Sequence, residues 1–195
     1  HNLQNIMDVQ KAIEHCFSVK KYTNKKPPIT LITNSVNAAH HAQTAGNIQP
    51  NRYIIVDDHE KIIKIADACQ QDFIKHAPFV IIICSDSDQV TKLFGKRADE
   101  YIKHNSGAVS QNLLLSLINN GLSASLVAIF SKNIIRQIAG IPDSIEIELI
   151  ITVGYELKKN KTKSKYSHSL VNRVFYNGWG NKFYKPLTFI RRSDV

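Results

Sequence analysis

The sequence predicts an α+β sandwich in which helices cover a central sheet. Two segments carry most of this prediction. The run Phe79–Cys84 is apolar and rich in β-branched residues, as expected of a strand that is buried on both faces. The segment Ser106–Asn119 has apolar residues along one side, as expected of an amphipathic helix. With 195 residues, the chain is long enough for one domain with a substantial core, and we predict a single domain over 1–195.

The remaining elements are predicted from local periodicity and from the residues that end each run. Asp8 is predicted to cap a first helix with an apolar face of Val9, Ile13, Cys16 and Phe17. The other predicted elements are a helix over Thr30–Ala42, a strand over Tyr53–Val56, a short helix around Ile62–Ala66, a helical region from Asp88, a strand over Ser125–Phe130, a helix over Lys132–Ala139 and a strand over Glu146–Val153. From about residue 156 the chain becomes a basic, aromatic extension without its own core, for which a partner subunit is the natural packing surface.

Composition and charge limit the possible classes of function. The formal net charge is +9, and five lysines fall within residues 158–165. Such a basic balance fits an anionic cofactor, a nucleic acid or a solvated loop. Three scattered cysteines without a CxxC pair argue against a disulfide framework or a zinc site. No apolar run is long enough to span a bilayer and no signal pattern is visible, so we expect a cytoplasmic protein without a membrane partner.

The most informative polar segment is the loop Thr44–Pro50. The chain lacks GxGxxG, P-loop, GxSxG and HExxH motifs. These are the usual signatures of dinucleotide folds, nucleotide hydrolases, serine hydrolases and metalloproteases, so the sequence indicates none of these classes. In the loop, Gly46 allows a close approach to the backbone, while Asn47 and Gln49 offer donors and acceptors on short side chains. These features suit a flat heterocycle with alternating N–H and C=O groups. An ordinary polar turn is the alternative interpretation.

The loop and its surroundings resemble the nitroreductase family. Residues 38–53 are similar to that family's signature "AA..APSAGNxQPWRF". Further family motifs are matched in the expected order by Ser18–Tyr22, Asn105–Leu113, Gly121–Phe130, Ile141–Asp143 with Val153–Tyr155, and Ser167–Trp179. Each match is short, but together they run along nearly the whole chain. The chain is therefore identified as a member of this family.

The resemblance implies a mainly antiparallel sheet and an intertwined homodimer that holds FMN non-covalently at the subunit interface. Ser18 and Lys20 would bind its phosphate or ribityl end, and a tail lysine, Lys163 or Lys165, would complete the phosphate site. The residues that would line the isoalloxazine ring are Thr44, Asn47 and Gln49, with the backbone N–H of Ala128 or Ile129 opposite flavin N5. A phosphate needs cations and hydroxyl donors, which Ser18 and Lys20 supply. Cys16 stands where the family has an arginine.

The implied reaction is a ping-pong transfer of hydride from NADH or NADPH, through flavin N5, to a small oxidant such as a nitroaromatic or quinone. Because the flavin performs the chemistry, no catalytic side chain and no metal are expected. Three alternatives stay open. They are a flavin-binding protein without catalysis, a specialised branch such as reductive dehalogenation, and a basic nucleic-acid-binding module built on Lys158–Lys165. The leading prediction, an FMN-dependent oxidoreductase, includes no nucleic-acid partner.

Overall fold

The structure is a computed structural model, and it describes residues 8–157 and 173–182. The chain divides into a larger unit, His1–Lys159, and a smaller one, Asn160–Val195. In the described part of the smaller unit, Tyr176 N donates to Asn181 O at 2.9 Å, and the rings of Phe175 and Trp179 have centroids 4.8 Å apart. A single domain over 1–195 stays a prediction.

The larger unit contains the predicted elements in the predicted order, and one additional helix. The elements are α1 (Val9–Glu14), α2 (Ile29–His40), β1 (Asn51–Val56), α3 (His59–Cys69), β2 (Phe79–Asp86), α4 (Asp88–Phe94), α5 (Ala98–Asn119), β3 (Ser123–Val127), α6 (Lys132–Ala139) and β4 (Ile145–Gly154). The helical region predicted from Asp88 is two helices, which a 3₁₀ turn at Gly95–Arg97 separates. Strand β3 ends at Val127, so the prediction of a strand as far as Phe130 was wrong by three residues.

The four strands form one sheet in the order β1-β2-β4-β3. Every neighbouring pair is antiparallel, which agrees with the predicted mainly antiparallel sheet. Asn51 of β1 lies opposite Ser85 of β2, and Phe79 at the other end of β2 lies opposite Val153 of β4. Strands β1 and β3 are therefore the two edges, with β2 and β4 between them.

Helices cover both faces of the sheet, and strand β2 shows why. Its side chains alternate between two separate cores, as the pleat of a strand requires. Val80, Ile82 and Cys84 pack on the face that is covered by α3 and α6. Phe79, Ile81 and Ile83 pack on the opposite face, against α2 and α5. This arrangement confirms the prediction of a strand that is buried on both faces.

The first helix differs from its predicted packing. Asp8 caps it as expected, because its Oδ1 accepts a hydrogen bond from Gln10 N at 3.2 Å. The helix ends at Glu14, so the prediction that Cys16 and Phe17 belong to its apolar face was wrong, and both are half-buried beyond it. Of the predicted face, Val9 is 69% exposed and Ile13 is 43% exposed. Only Ala12 of this helix is buried. The apolar face of α1 thus lies at the surface of the larger unit.

Candidate functional site

The loop between α2 and β1 has an unusual backbone conformation. Ala45–Asn47 forms a single 3₁₀ turn in which two consecutive residues, Gly46 (φ 63°) and Asn47 (φ 56°), are left-handed. Glycine adopts this conformation without a steric penalty, and asparagine tolerates it better than most residues. The side chain of Asn47 is exposed to solvent. The order Gly-Asn in this loop therefore fixes a sharp turn that presents Asn47 on the outside.

Helix α4 packs on this loop. A β-carbon built on Gly46 would lie 2.7 Å from Leu93 Cδ2 and 3.2 Å from Phe94 Cζ, so any other residue here would require these side chains to shift. Ile48 packs beside them against a small buried cluster that contains Val90 and Ile102. The sequence predicted that another group would approach the backbone closely at Gly46. In this structure, side chains of α4 make that close approach.

Several buried polar atoms at the loop have no hydrogen-bond partner among the residues that the structure describes. They are Thr44 Oγ1, Gln49 Oε1, Asn51 Oδ1 and Asn105 Nδ2. The other ends of two of these amides are engaged, since Asn105 Oδ1 accepts from Ala45 N at 3.3 Å and Gln49 Nε2 donates to Ala42 O at 3.4 Å. Buried polar groups are normally paired, so the loop has hydrogen-bonding capacity that the protein itself does not use.

Behind the loop, a polar contact joins β1 to α5. Asn51, at the start of β1, is 2% exposed and its Nδ2 donates to Ser106 Oγ at 2.8 Å. Two residues further along β1, burial raises the pKa of Tyr53 to about 12, so its hydroxyl stays protonated at neutral pH. Within 8–157 and 173–182 this hydroxyl also has no partner, and Tyr53 helps to line an open pocket of about 400 Å³ between α2 and β1.

The two residues predicted at the phosphate end lie on the opposite edge of the sheet. Ser18 forms an isolated bridge with Ala124 of β3, and the next residue, Val19, donates its N–H to Ala124 O at 3.1 Å. Lys20 is exposed, and its Nζ lies 5.4 Å from the ring centroid of Phe73. Both Ser18 and Lys20 are therefore accessible from solvent.

The residues predicted near N5 lie along the same edge as Ser18. Ala128 and Ile129 directly follow β3, and the side chain of Ile129 is 79% exposed. Ala128 is four residues from Ala124, the partner of Ser18, which corresponds to about 13 Å along an extended strand. Lys163 and Lys165 lie outside the described residues.

Within one copy of the chain, the loop and the phosphate-end residues are far apart. Ser18 and β1 are separated by four strand spacings, or about 19 Å across the sheet. The register places Ser18 near the Val56 end of β1, whereas the loop enters β1 at Asn51, about 17 Å away along the strand. The two sets of predicted residues thus occupy diagonally opposite corners of the sheet.

The described residues also bear on membrane and metal sites. None of the helices in 8–157 and 173–182 has the length and apolar character needed to cross a bilayer. The same residues contain no group of three or more His, Cys, Asp and Glu side chains placed to hold a metal ion. His40 and His41, at the end of α2, are both exposed.

Comparison with known proteins assigns the family. The model of the nitroreductase family matches residues 13–74 and 60–155. The chain belongs to the nitroreductase family. A protein of Methanothermobacter thermautotrophicus, provisionally named NADH dehydrogenase/NAD(P)H nitroreductase, is 28% identical over 178 residues, covering 89% of this chain and 88% of its own length.

Two further proteins are similar to this chain at lower sequence identity. The iodotyrosine deiodinase of Thermotoga neapolitana is 21% identical over 180 residues, covering 79% of this chain and 90% of its own. The structure of the NADPH:FMN oxidoreductase of Vibrio harveyi, complexed with NAD⁺, has a TM-score of 0.76 at 17% identity and covers 88% of this chain and 77% of that one. At this identity, the structural similarity establishes a shared fold.

Sequence reasoning missed the buried polar residues of α5, two of which, Asn105 and Ser106, bond to Ala45 and Asn51. Asn105, Ser106 and Ser110 are all at most 3% exposed. They share the buried side of α5 with Ile102, Val109 and Leu113. Polar residues at helix positions that belong to the apolar face were the available signal, because such positions normally carry aliphatic side chains.

Proposed function

We propose that this member of the nitroreductase family is an FMN-dependent oxidoreductase that uses NADH or NADPH to reduce a small oxidant. The family assignment supports the flavin, and the relatives named for NAD(P)H and FMN support the two reactants. The observation that carries the proposal is the set of unpartnered polar atoms at the Thr44–Gln49 loop. A ring with alternating N–H and C=O groups would give these atoms partners.

The residues of this chain fit such a cofactor at both ends. We assign Thr44, Asn47 and Gln49 to the ring, and the main-chain N–H of Ala128 or Ile129 to N5. The bound flavin would supply two-electron chemistry, taking hydride from NAD(P)H and passing it to an acceptor such as a nitroaromatic or quinone. The protein would orient the ring and stabilise negative charge on it with amide donors.

The proposed binding site for the phosphate consists of an exposed cation and a hydroxyl. Ser18 would donate its hydroxyl and Lys20 would supply charge, as phosphate oxygens require. Cys16, which replaces the family's arginine, has its Sγ 3.9 Å from Gln111 Nε2 and brings no charge to this edge. A tail lysine, Lys163 or Lys165, is proposed to add the missing cation.

The proposed site requires two copies of the chain. The loop and Ser18 lie at opposite corners of the sheet, and this distance exceeds the reach of the ribityl chain that joins a flavin ring to its phosphate. By contrast, Ser18 and Ala128 share one edge. We therefore propose a symmetric homodimer in which one copy supplies Ser18, Lys20 and Ala128, and the other supplies the ring loop. The exposed apolar face of α1 is available for such an interface.

Uptake of FMN tests this proposal. The purified protein should quench the fluorescence of added FMN, and anaerobic NADPH or NADH should bleach the bound flavin until a nitroaromatic restores its colour. Lys20→Ala should weaken retention of FMN, whereas Lys61→Ala, at an exposed position of α3, should not. Failure of the protein to take up FMN would contradict the proposal and would favour the nucleic-acid-binding alternative. Uptake without bleaching indicates a flavin-binding protein that lacks catalysis.

Reductive dehalogenation is a second candidate for the reaction. It is favoured by the similarity to iodotyrosine deiodinase, which extends over 79% of the chain. Both reactions would use the same flavin site, so they differ only in the acceptor. Reoxidation of the reduced protein by iodotyrosine with release of iodide, but not by a nitroaromatic, would select the dehalogenase.

A further inference from the structure

Asn105 ties the ring loop to the longest helix of the fold. It lies in the interior of α5, a helix of 22 residues, and is 3% exposed. Its Oδ1 accepts a hydrogen bond from Ala45 N at 3.3 Å, across sixty residues of sequence. Ala45 directly precedes the two left-handed residues, Gly46 and Asn47. The side chain of Asn105 thus holds the loop where its backbone conformation is most demanding.

The other end of this amide has no partner. Asn105 Nδ2 is buried and donates to nothing in the described chain, which is costly for a donor that water cannot reach. Two acceptors without partners, Thr44 Oγ1 and Gln49 Oε1, belong to the loop that the same side chain already contacts.

We infer that Asn105 is a positioning residue whose carbonyl oxygen anchors the loop at Ala45 and whose amide nitrogen gains its own bond to the loop when the loop closes on a bound flavin. This inference rests on the proposed function. Since Asn105 lies beneath the loop, it acts through the loop on the orientation of the ring.

Three variants separate the two roles of the side chain. Asn105→Leu removes the acceptor and the donor at similar volume, and Asn105→Asp retains an oxygen for Ala45 N but lacks the donor. Ser110→Ala is the matched control, because Ser110 is a buried polar residue of the same helix whose hydroxyl, in the described part of the chain, donates within the helix to Ser106 O at 2.6 Å. Thermal unfolding of each apo-protein establishes that it folds.

The first measurement is the affinity for FMN from fluorescence quenching. One hydrogen bond corresponds to about a tenfold change in affinity, so Asn105→Leu should bind FMN at least about tenfold more weakly. Asn105→Asp should fall between this variant and the native protein, and Ser110→Ala should stay within about twofold of native. Equal affinities for the native protein and Asn105→Leu would overturn the inference, as would an equal loss in Ser110→Ala.

The second measurement is hydrogen exchange of the loop amides, which does not depend on turnover. Asn105→Leu should exchange the amides of residues 44–48 faster than the native apo-protein, while Ser110→Ala should not. Added FMN should slow this exchange in the native protein and do so less in Asn105→Asp. A native protein that takes up no FMN would refute the proposed function and the second bond. The anchor at Ala45 is refuted only by unchanged exchange in Asn105→Leu.

Discussion

Replacement of Gly46 by alanine should perturb both the stability of the protein and the ring loop. At φ 63°, a residue with a β-carbon is destabilised by about 1–2 kcal/mol. The new methyl group would also lie 2.7 Å from Leu93 Cδ2 and 3.2 Å from Phe94 Cζ. Leu93 is 58% exposed and can rotate away, so this contact should add about 0.5–1.5 kcal/mol. The expected loss in the free energy of unfolding is about 1.5–3.5 kcal/mol.

Gly140 provides a control with nearly the same backbone. It has φ 64°, and a β-carbon there would meet nothing within 4 Å. Gly140→Ala should therefore lose only the conformational part, about 1–2 kcal/mol. Adding Leu93→Ala to Gly46→Ala should return most of the contact part, since only the longer contact with Phe94 then remains.

Denaturant unfolding of the apo-proteins and FMN titration together measure the two effects. Gly46→Ala should be less stable than Gly140→Ala by about 0.5–1.5 kcal/mol, and it alone should bind FMN more weakly. Equal losses of stability in the two variants would refute the packing of α4 on the loop. Undiminished binding of FMN by Gly46→Ala would refute the requirement for this turn in the flavin site.

Three further perturbations test the fold. Ile135→Ala, at a fully buried position of α6, should lower the free energy of unfolding by about 2–5 kcal/mol, and a loss below about 1 kcal/mol would contradict the packing of α6 on the sheet. Tyr22→Phe removes a hydroxyl that lies 2.7 Å from Thr152 Oγ1 and should cost about 1–2 kcal/mol in urea unfolding, so an unchanged midpoint would argue against this contact. Burial raises the pKa of Cys69 and Cys84 from 9.0 to about 11, so stability should fall as the pH rises from 9 to 11 because the unfolded thiols ionise first, and constant stability over that range would exclude buried thiols.

The regular elements were predictable because local sequence determines them. The apolar run of β2 and the period of α6 are signals within single segments, and α6 has the predicted bounds, Lys132–Ala139. The end of β3 was less accessible to prediction. Ala128–Phe130 is as apolar as the strand before it, but the chain leaves the sheet there, and Ser131 N donates to Ala68 O of α3 at 2.9 Å.

The site was predictable in its residue types but not in its geometry. The loop motif singled out Thr44, Asn47 and Gln49, yet the anchor at Asn105 depends on a contact across sixty residues. The separation of Ser18 from the loop depends on the strand order β1-β2-β4-β3 and on the register of all four strands. The residue pattern of a single segment contains neither the long-range contact of Asn105 nor the order and register of the strands.

The shared flavin site can be tested most directly by complementation between two defective variants. One variant carries Ser18→Ala with Lys20→Ala, and the other carries Asn47→Ala with Gln49→Ala. Each alone should bind FMN poorly. When the two are co-expressed, random pairing should give mixed dimers in which one site has both lesions and the other has none, so that about a quarter of all sites recover native affinity. If each site were built within one copy, no mixture of the two variants would recover FMN binding.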